Sequence, residues 1–186
     1  MQDILQQFIS GMRATAWYEY VAVVFGIASV WFSRKENILV YPVGLVNTVI
    51  YIYLSLEGHL LGEASVNLYY TIMSIYGWVL WSKKDSRKVP ILHITRSSYR
   101  EWGGHLLFFT CFFTIIFFCL HFLKKEFAPG ALPAADAFAS ATAFTGMWLM
   151  ARKKLESWYW WILTNTASIP LYFSKGYVFT SFYYLV

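Results

Sequence analysis

Asn67, Tyr70, Ser74, Trp78 and Trp81 recur at spacings of three and four residues in an otherwise hydrophobic stretch. At about 100° per residue this gathers them within about 80° of one helical face. Trp158, Trp161, Asn165, Ser168 and Tyr172 form an equally narrow stripe, and Gly44, Asn47, Tyr51 and Ser55 share a face. An amide in hydrocarbon costs free energy unless it meets a partner, water or a ligand. Amides flanked by aromatic rings suit a planar, hydrogen-bonding solute, with ring faces to stack on and polar groups to fix orientation. The candidate substrate-binding residues are therefore Asn47, Tyr51, Asn67, Tyr70, Trp78, Trp158, Trp161, Asn165 and Tyr172. The same residue types also tie transmembrane helices together, at ~0.6 kcal/mol per contact. Tryptophans near segment ends, Trp81 and Trp158 above all, also anchor helices at the membrane interface.

Other chemistry lacks its residues. His59, His93, His105 and His121 are scattered without metal-ligand spacing, so no metal site is expected. There is no Walker A pattern, no G-x-S-x-G and no H-E-x-x-H, which argues against ATP hydrolysis and against an intramembrane hydrolase. Neither an enzyme nor a cofactor is expected. Glu19, Glu63 and Asp136 lie at or near the ends of hydrophobic segments, and no carboxylate sits mid-segment to couple proton movement. Downhill, facilitated transport is the simplest consequence.

The elements that must position these residues follow from composition. The chain has 186 residues, 58% hydrophobic and only 13% charged, too little polar surface for a water-soluble globule of this size. Apolar blocks run from Tyr18 to Phe32, Ile38 to Leu56, Leu60 to Trp81, Trp102 to Phe122, Pro133 to Met150 and Trp158 to Phe173. Each is near the ~20 residues that cross a bilayer core. A seventh begins at Tyr177 and reaches Val186, short for a full span. Ile4, Leu5, Phe8, Ile9 and Met12 share one face, which predicts an interfacial helix over residues 1–16. Cys111 and Cys119 lie eight residues apart on one helix, too far to pair. Pro42 and Pro170 fall within the second and sixth segments as candidate kinks.

Eleven of the fifteen basic residues, including Arg34, Lys35, Arg152, Lys153 and Lys154, fall in the connections after segments one, three and five. The positive-inside rule makes that side cytoplasmic, with the N-terminus outside and the C-terminus inside. The net charge of +5 is then a signal of topology and anionic lipid, not of nucleic acid. The chain also repeats itself at an offset of 118, Arg34-Lys35, Tyr41, Leu45, Asn47-Thr48 and Gly58 matching Arg152-Lys153, Tyr159, Leu163, Asn165-Thr166 and Gly176. Both basic pairs lie on the same side, so the repeats run parallel and need an odd number of spans between them. The expected fold is an all-α polytopic membrane protein of seven helices in a 3+1+3 arrangement, as in the SWEET sugar transporters, with the last helix short. Residues 17–81 form the first repeat, 82–101 a basic cytoplasmic loop, 102–124 the linker helix and 133–186 the second repeat.

The run from Leu61 to Tyr70, then Ile75-Tyr76-Gly77-Trp78 and Trp81, with Glu156-Ser157-Trp158-Tyr159-Trp160-Trp161 and Asn165, resembles the bacterial PnuC family of nicotinamide riboside transporters over nearly the whole chain. The resemblance implies a SWEET-like fold in the inner membrane and inward carriage of nicotinamide riboside by facilitated diffusion. It also implies dependence on a cytoplasmic riboside kinase that traps the product, and it allows a homotrimer. It carries Asn67, Trp161 and Asn165 over as binding positions, with Tyr70 and Trp78 beside them. A pyridinium cation, a carboxamide and a ribose call for ring faces, amides and hydroxyl partners in turn. A SWEET-type sugar carrier and the substrate-binding subunit of an ATP-driven vitamin importer are the competing readings.

Overall fold

The computed structural model describes residues 17–57, 61–127 and 132–174, and within them every extended regular element is a helix. The helices are α1 (Trp17–Arg34), α2 (Val40–Glu57), α3 (Leu61–Ser82), α4 (Tyr99–Phe127), α5 (Pro133–Ala151) and α6 (Ser157–Ser174). They follow the six apolar blocks closely, α4 running on past both ends of its block. The interfacial helix expected over residues 1–16 and the segment from Tyr177 lie outside the described residues. By length and composition alone, α2 and Tyr99–Phe122 of α4 qualify as membrane crossings. The other helices carry more polar or small residues.

The helices pack in chain order, α1 on α2 on α3, then α3 on α5, with α4 and α6 on the flanks of α5. α5 is central because its residues are small. Ala137, Ala139, Ala141, Ala143, Gly146 and Ala151 are buried along it and let three neighbours approach closely. Pro133 starts α5 where no backbone donor is needed, and the Asp136 carboxylate accepts the Leu132 N–H at 2.6 Å, so that acid caps a helix. Pro42 likewise sits in the first turn of α2, where its missing N–H costs nothing and no kink is required, whereas Pro170 lies inside α6. α4 leaves Leu106, Leu107, Ile115 and Phe118 exposed, with both cysteines, as a lipid-facing helix does.

The two basic turns share one geometry. Asn37 N–H bonds to the Phe32 carbonyl and Lys154 N–H to the Leu149 carbonyl, with left-handed residues at Glu36 (φ 52°) and Lys153 (φ 53°). This closes the helix end in the manner of a Schellman motif. The turns correspond at an offset of 117, and residues at corresponding places touch: Lys153 Nζ lies 3.4 Å from Glu36 Oε2, and Ser33 Oγ donates to Met150 Sδ at 3.4 Å. The offset of 118 read from the sequence is therefore one residue longer than the offset of the turns. One residue is about 100° of helix, so Asn47 and Asn165 do not face equivalent ways.

The loop between α3 and α4 is ordered by partners far away in sequence. Thr95 exchanges backbone hydrogen bonds with Lys153 and Leu155, both at 3.1 Å. Ser97 gives its N–H and its hydroxyl to the two oxygens of Glu156, at 2.8 and 2.9 Å, and Lys154 pairs with Glu101 at 2.6 Å.

Candidate functional site

Two stripes meet across a seam. Glu63, Asn67 and Tyr70 lie on one face of α3, and Trp161, Asn165, Ser168 and Tyr172 lie on one face of α6. The backbones of α3 and α6 are not closely packed, and the two helices meet here through their side chains. They touch at two levels. Toward the end that bears the basic turns, Tyr70 and Trp161 lie 6.0 Å apart between ring centroids, tilted by 50°. At the other end, Tyr172 donates to Glu63 Oε1 at 2.8 Å. The α3 residues at the two contacts are about 10 Å apart along their axis and the α6 residues about 16 Å, from a rise of ~1.5 Å per residue.

Asn165 lies between the two contacts, half-buried, and its side chain makes no hydrogen bond to another described residue. Asn67 donates to the carbonyl of Glu63 in its own helix at 2.9 Å, which leaves its amide oxygen for a ligand. Trp161 is positioned from behind. A Cβ added at Gly146 of α5 would sit 3.3 Å from two carbons of the indole, so the glycine lets the ring lie flat on α5. Phe144 completes the wall, 6.4 Å from Tyr70 edge-on and stacked on Tyr69 at 4.0 Å. The Tyr69 hydroxyl donates to the Phe144 carbonyl at 3.0 Å and pins α3 to α5 beneath the ring cluster.

Other expected residues lie elsewhere. Asn47 donates to the Ala22 carbonyl of α1 at 2.7 Å, and Gly44 rests on Ser29 of α1. The α2 stripe is thus a helix seam, in which an amide has found the nearest carbonyl, and it supplies no wall of the site through Asn47. Tyr51, on the same helix, is half-buried with a partner of its own. Trp78 and Trp158 are 40% and 37% exposed, with no ring contact among the described residues, as interfacial tryptophans would be. Trp81, by contrast, is buried. It donates to the Ala151 carbonyl at 3.1 Å, meets the Tyr41 ring edge-on and carries the Lys153 ammonium 4.5 Å above its face. Glu63, Phe144 and Gly146 were missed by the sequence reading. The first could have been found from its place one turn before Asn67 on the same face, whereas the α5 residues carry no signal of their own.

Among the described residues no group of His, Cys, Asp and Glu could hold a metal ion. Helices that keep a polar, aromatic seam between them in place of tight packing are the working parts of membrane transporters. The chain belongs to the nicotinamide mononucleotide transporter family, whose model matches residues 16–186. It is similar to the riboflavin/roseoflavin transporter RibM of Streptomyces davaonensis, 22% identical over 91% of this chain and 78% of that one. It is equally similar to the nicotinamide riboside transporter PnuC of Escherichia coli, 22% identical over 92% of this chain and 80% of that one. PnuC of Neisseria mucosa is 25% identical, over 90% of this chain and 64% of its own length. The crystal structure of the vitamin B3 transporter PnuC has the same fold, with a TM-score of 0.71 at 23% identity over 98% of this chain and 82% of the other.

Proposed function

We propose that this protein carries nicotinamide riboside into the bacterial cytoplasm across the inner membrane by facilitated diffusion, a cytoplasmic kinase trapping the product. The observation that carries the reading is Asn165, a half-buried amide without a hydrogen-bond partner among the described residues, one turn from the indole of Trp161. In this reading the indole stacks on the pyridinium, which a ring face attracts. Asn165 and the free amide oxygen of Asn67 take the carboxamide or ribose. The transporter is a seven-helix 3+1+3 bundle with the basic turns in the cytoplasm. Contact between corresponding residues of the two turns supports a two-fold axis running between them along the membrane normal, because a two-fold brings equivalent points together only on its axis.

The RibM relative favours a second reading, a flavin in the same seam. Uptake of labelled nicotinamide riboside by the purified chain in liposomes tests both. Uptake that unlabelled nicotinamide riboside suppresses and riboflavin or glucose does not supports the first; no uptake of nicotinamide riboside, with uptake of labelled riboflavin instead, supports the second. Transport by the purified chain without a partner also excludes the subunit of an ATP-driven importer.

A further inference from the structure

The two helices that form the seam carry one charged side chain between them within the described residues. α3 holds Glu63 and no other ionisable acid or base of the Asp, Glu, Lys, Arg and His set, and α6 holds none. The basic residues gather at the opposite end of α3, beyond Ser82. Glu63 is not turned away into lipid or headgroups. Its carboxylate is held by the Tyr172 hydroxyl at 2.8 Å, on the stripe that holds Asn165 and Trp161, and its backbone carbonyl holds the amide of Asn67. A carboxylate in a weakly polar environment acts strongly on a nearby cation, because little water screens it. The helix interior lies on the same side of Glu63 as the ring cluster, about 10 Å further along.

We infer that Glu63 is a charge-selecting residue of the outer mouth, held in place by Tyr172, which favours cationic ribosides over uncharged ones of the same shape. The inference rests on the proposed carriage of nicotinamide riboside and adds to it the means of discriminating charge. Shape and hydrogen bonding, supplied by Asn67 and Asn165, do not distinguish a pyridinium from a neutral six-membered aromatic ring with the same carboxamide, and the indole face of Trp161 favours the cation only in part. A carboxylate does distinguish them. Tyr172 serves as a positioning residue: its hydroxyl aims the carboxylate across the seam instead of leaving it to rotate toward solvent.

Calorimetric titration of the purified full-length protein with nicotinamide riboside and with benzamide riboside, its uncharged isostere, tests this. The wild-type protein is expected to bind the cation about tenfold more tightly or better, the scale of one charge-assisted contact. Glu63→Gln keeps an acceptor for Tyr172 but removes the charge, and it should lower the preference toward unity chiefly by weakening the cation. Glu63→Asp, which keeps the charge, should retain most of the preference. Equal wild-type affinity for the two ribosides overturns the inference even if no variant folds. So does a Glu63→Gln protein with an unchanged preference, whether both affinities hold or both fall together. Binding of neither riboside overturns the transport reading along with it, whereas equal binding of both leaves that reading standing.

Discussion

In the proposed site Trp161 stacks on the solute with its indole lying against α5 at Gly146. Trp161→Ala should weaken binding of nicotinamide riboside about tenfold or more, the ~1 to 2 kcal/mol of a desolvated cation-π and stacking contact, and Trp161→Phe should keep part of it. Calorimetry reads both. Asn47 and Asn165 offer a sharper comparison, since both are amides followed by threonine. Asn165→Leu should lower affinity while leaving thermal stability near that of the wild type. Asn47→Leu should do the reverse, because it removes a tie to the Ala22 carbonyl and leaves that carbonyl to its own helix. The stripes on α3 and α6 were legible in the sequence because helical periodicity depends on spacing alone. The role of Asn47 was not, because a one-residue difference between the sequence repeat and the repeat of the turns rotates the side chain by about 100°.

Helix ends were legible within a few residues, since hydrophobic runs and their basic flanks mark where the membrane stops. What joins the helices was not, because it depends on partners distant in the chain. Tyr41 is fully buried between Gly77 and Trp81, its ring lying on the glycine and meeting the indole edge-on. A methyl group at position 77 would fall well inside contact distance of that ring, which has no room to retreat. Gly77→Ala should therefore destabilise the α2–α3 pair by about 1 to 3 kcal/mol, the usual penalty of overpacking, read as a lower midpoint of thermal unfolding in detergent. The loop before α4 depends on Glu156. Burial works against the charge on that carboxyl, but the N–H and hydroxyl of Ser97 outweigh it and hold the group below the usual glutamate range. The stabilisation is then fully present above about pH 4.3, the ordinary glutamate value, and is lost as pH falls through the lower value of the folded protein. Below about pH 4.3 the wild type should lose stability more steeply than Glu156→Gln, and thermal unfolding followed across pH checks this. Equal slopes would remove Glu156 from the acid limb.

For the molecule as a whole, neither a nucleotide motif nor a mid-segment carboxylate is present to couple transport to an energy source. Uptake into liposomes at zero membrane potential should be downhill and indifferent to an imposed proton or sodium gradient. Accumulation above the external concentration under such a gradient, with no kinase present, would contradict this. A potential has to be excluded because it acts on the cationic solute itself, at about 2.3 kcal/mol per charge per 100 mV. The junction of the two basic turns also bears on how newly made chains avoid one another. In the proposed 3+1+3 arrangement, two halves of similar shape invite exchange between neighbouring molecules, a first half pairing with a first half. Such a pairing would set Glu36 against Glu36, or Lys153 against Lys153, at the point where corresponding residues meet. The correct pairing within one chain sets Glu36 against Lys153 instead. Opposite charge at that junction therefore favours a first turn against a second turn over either turn against its own kind.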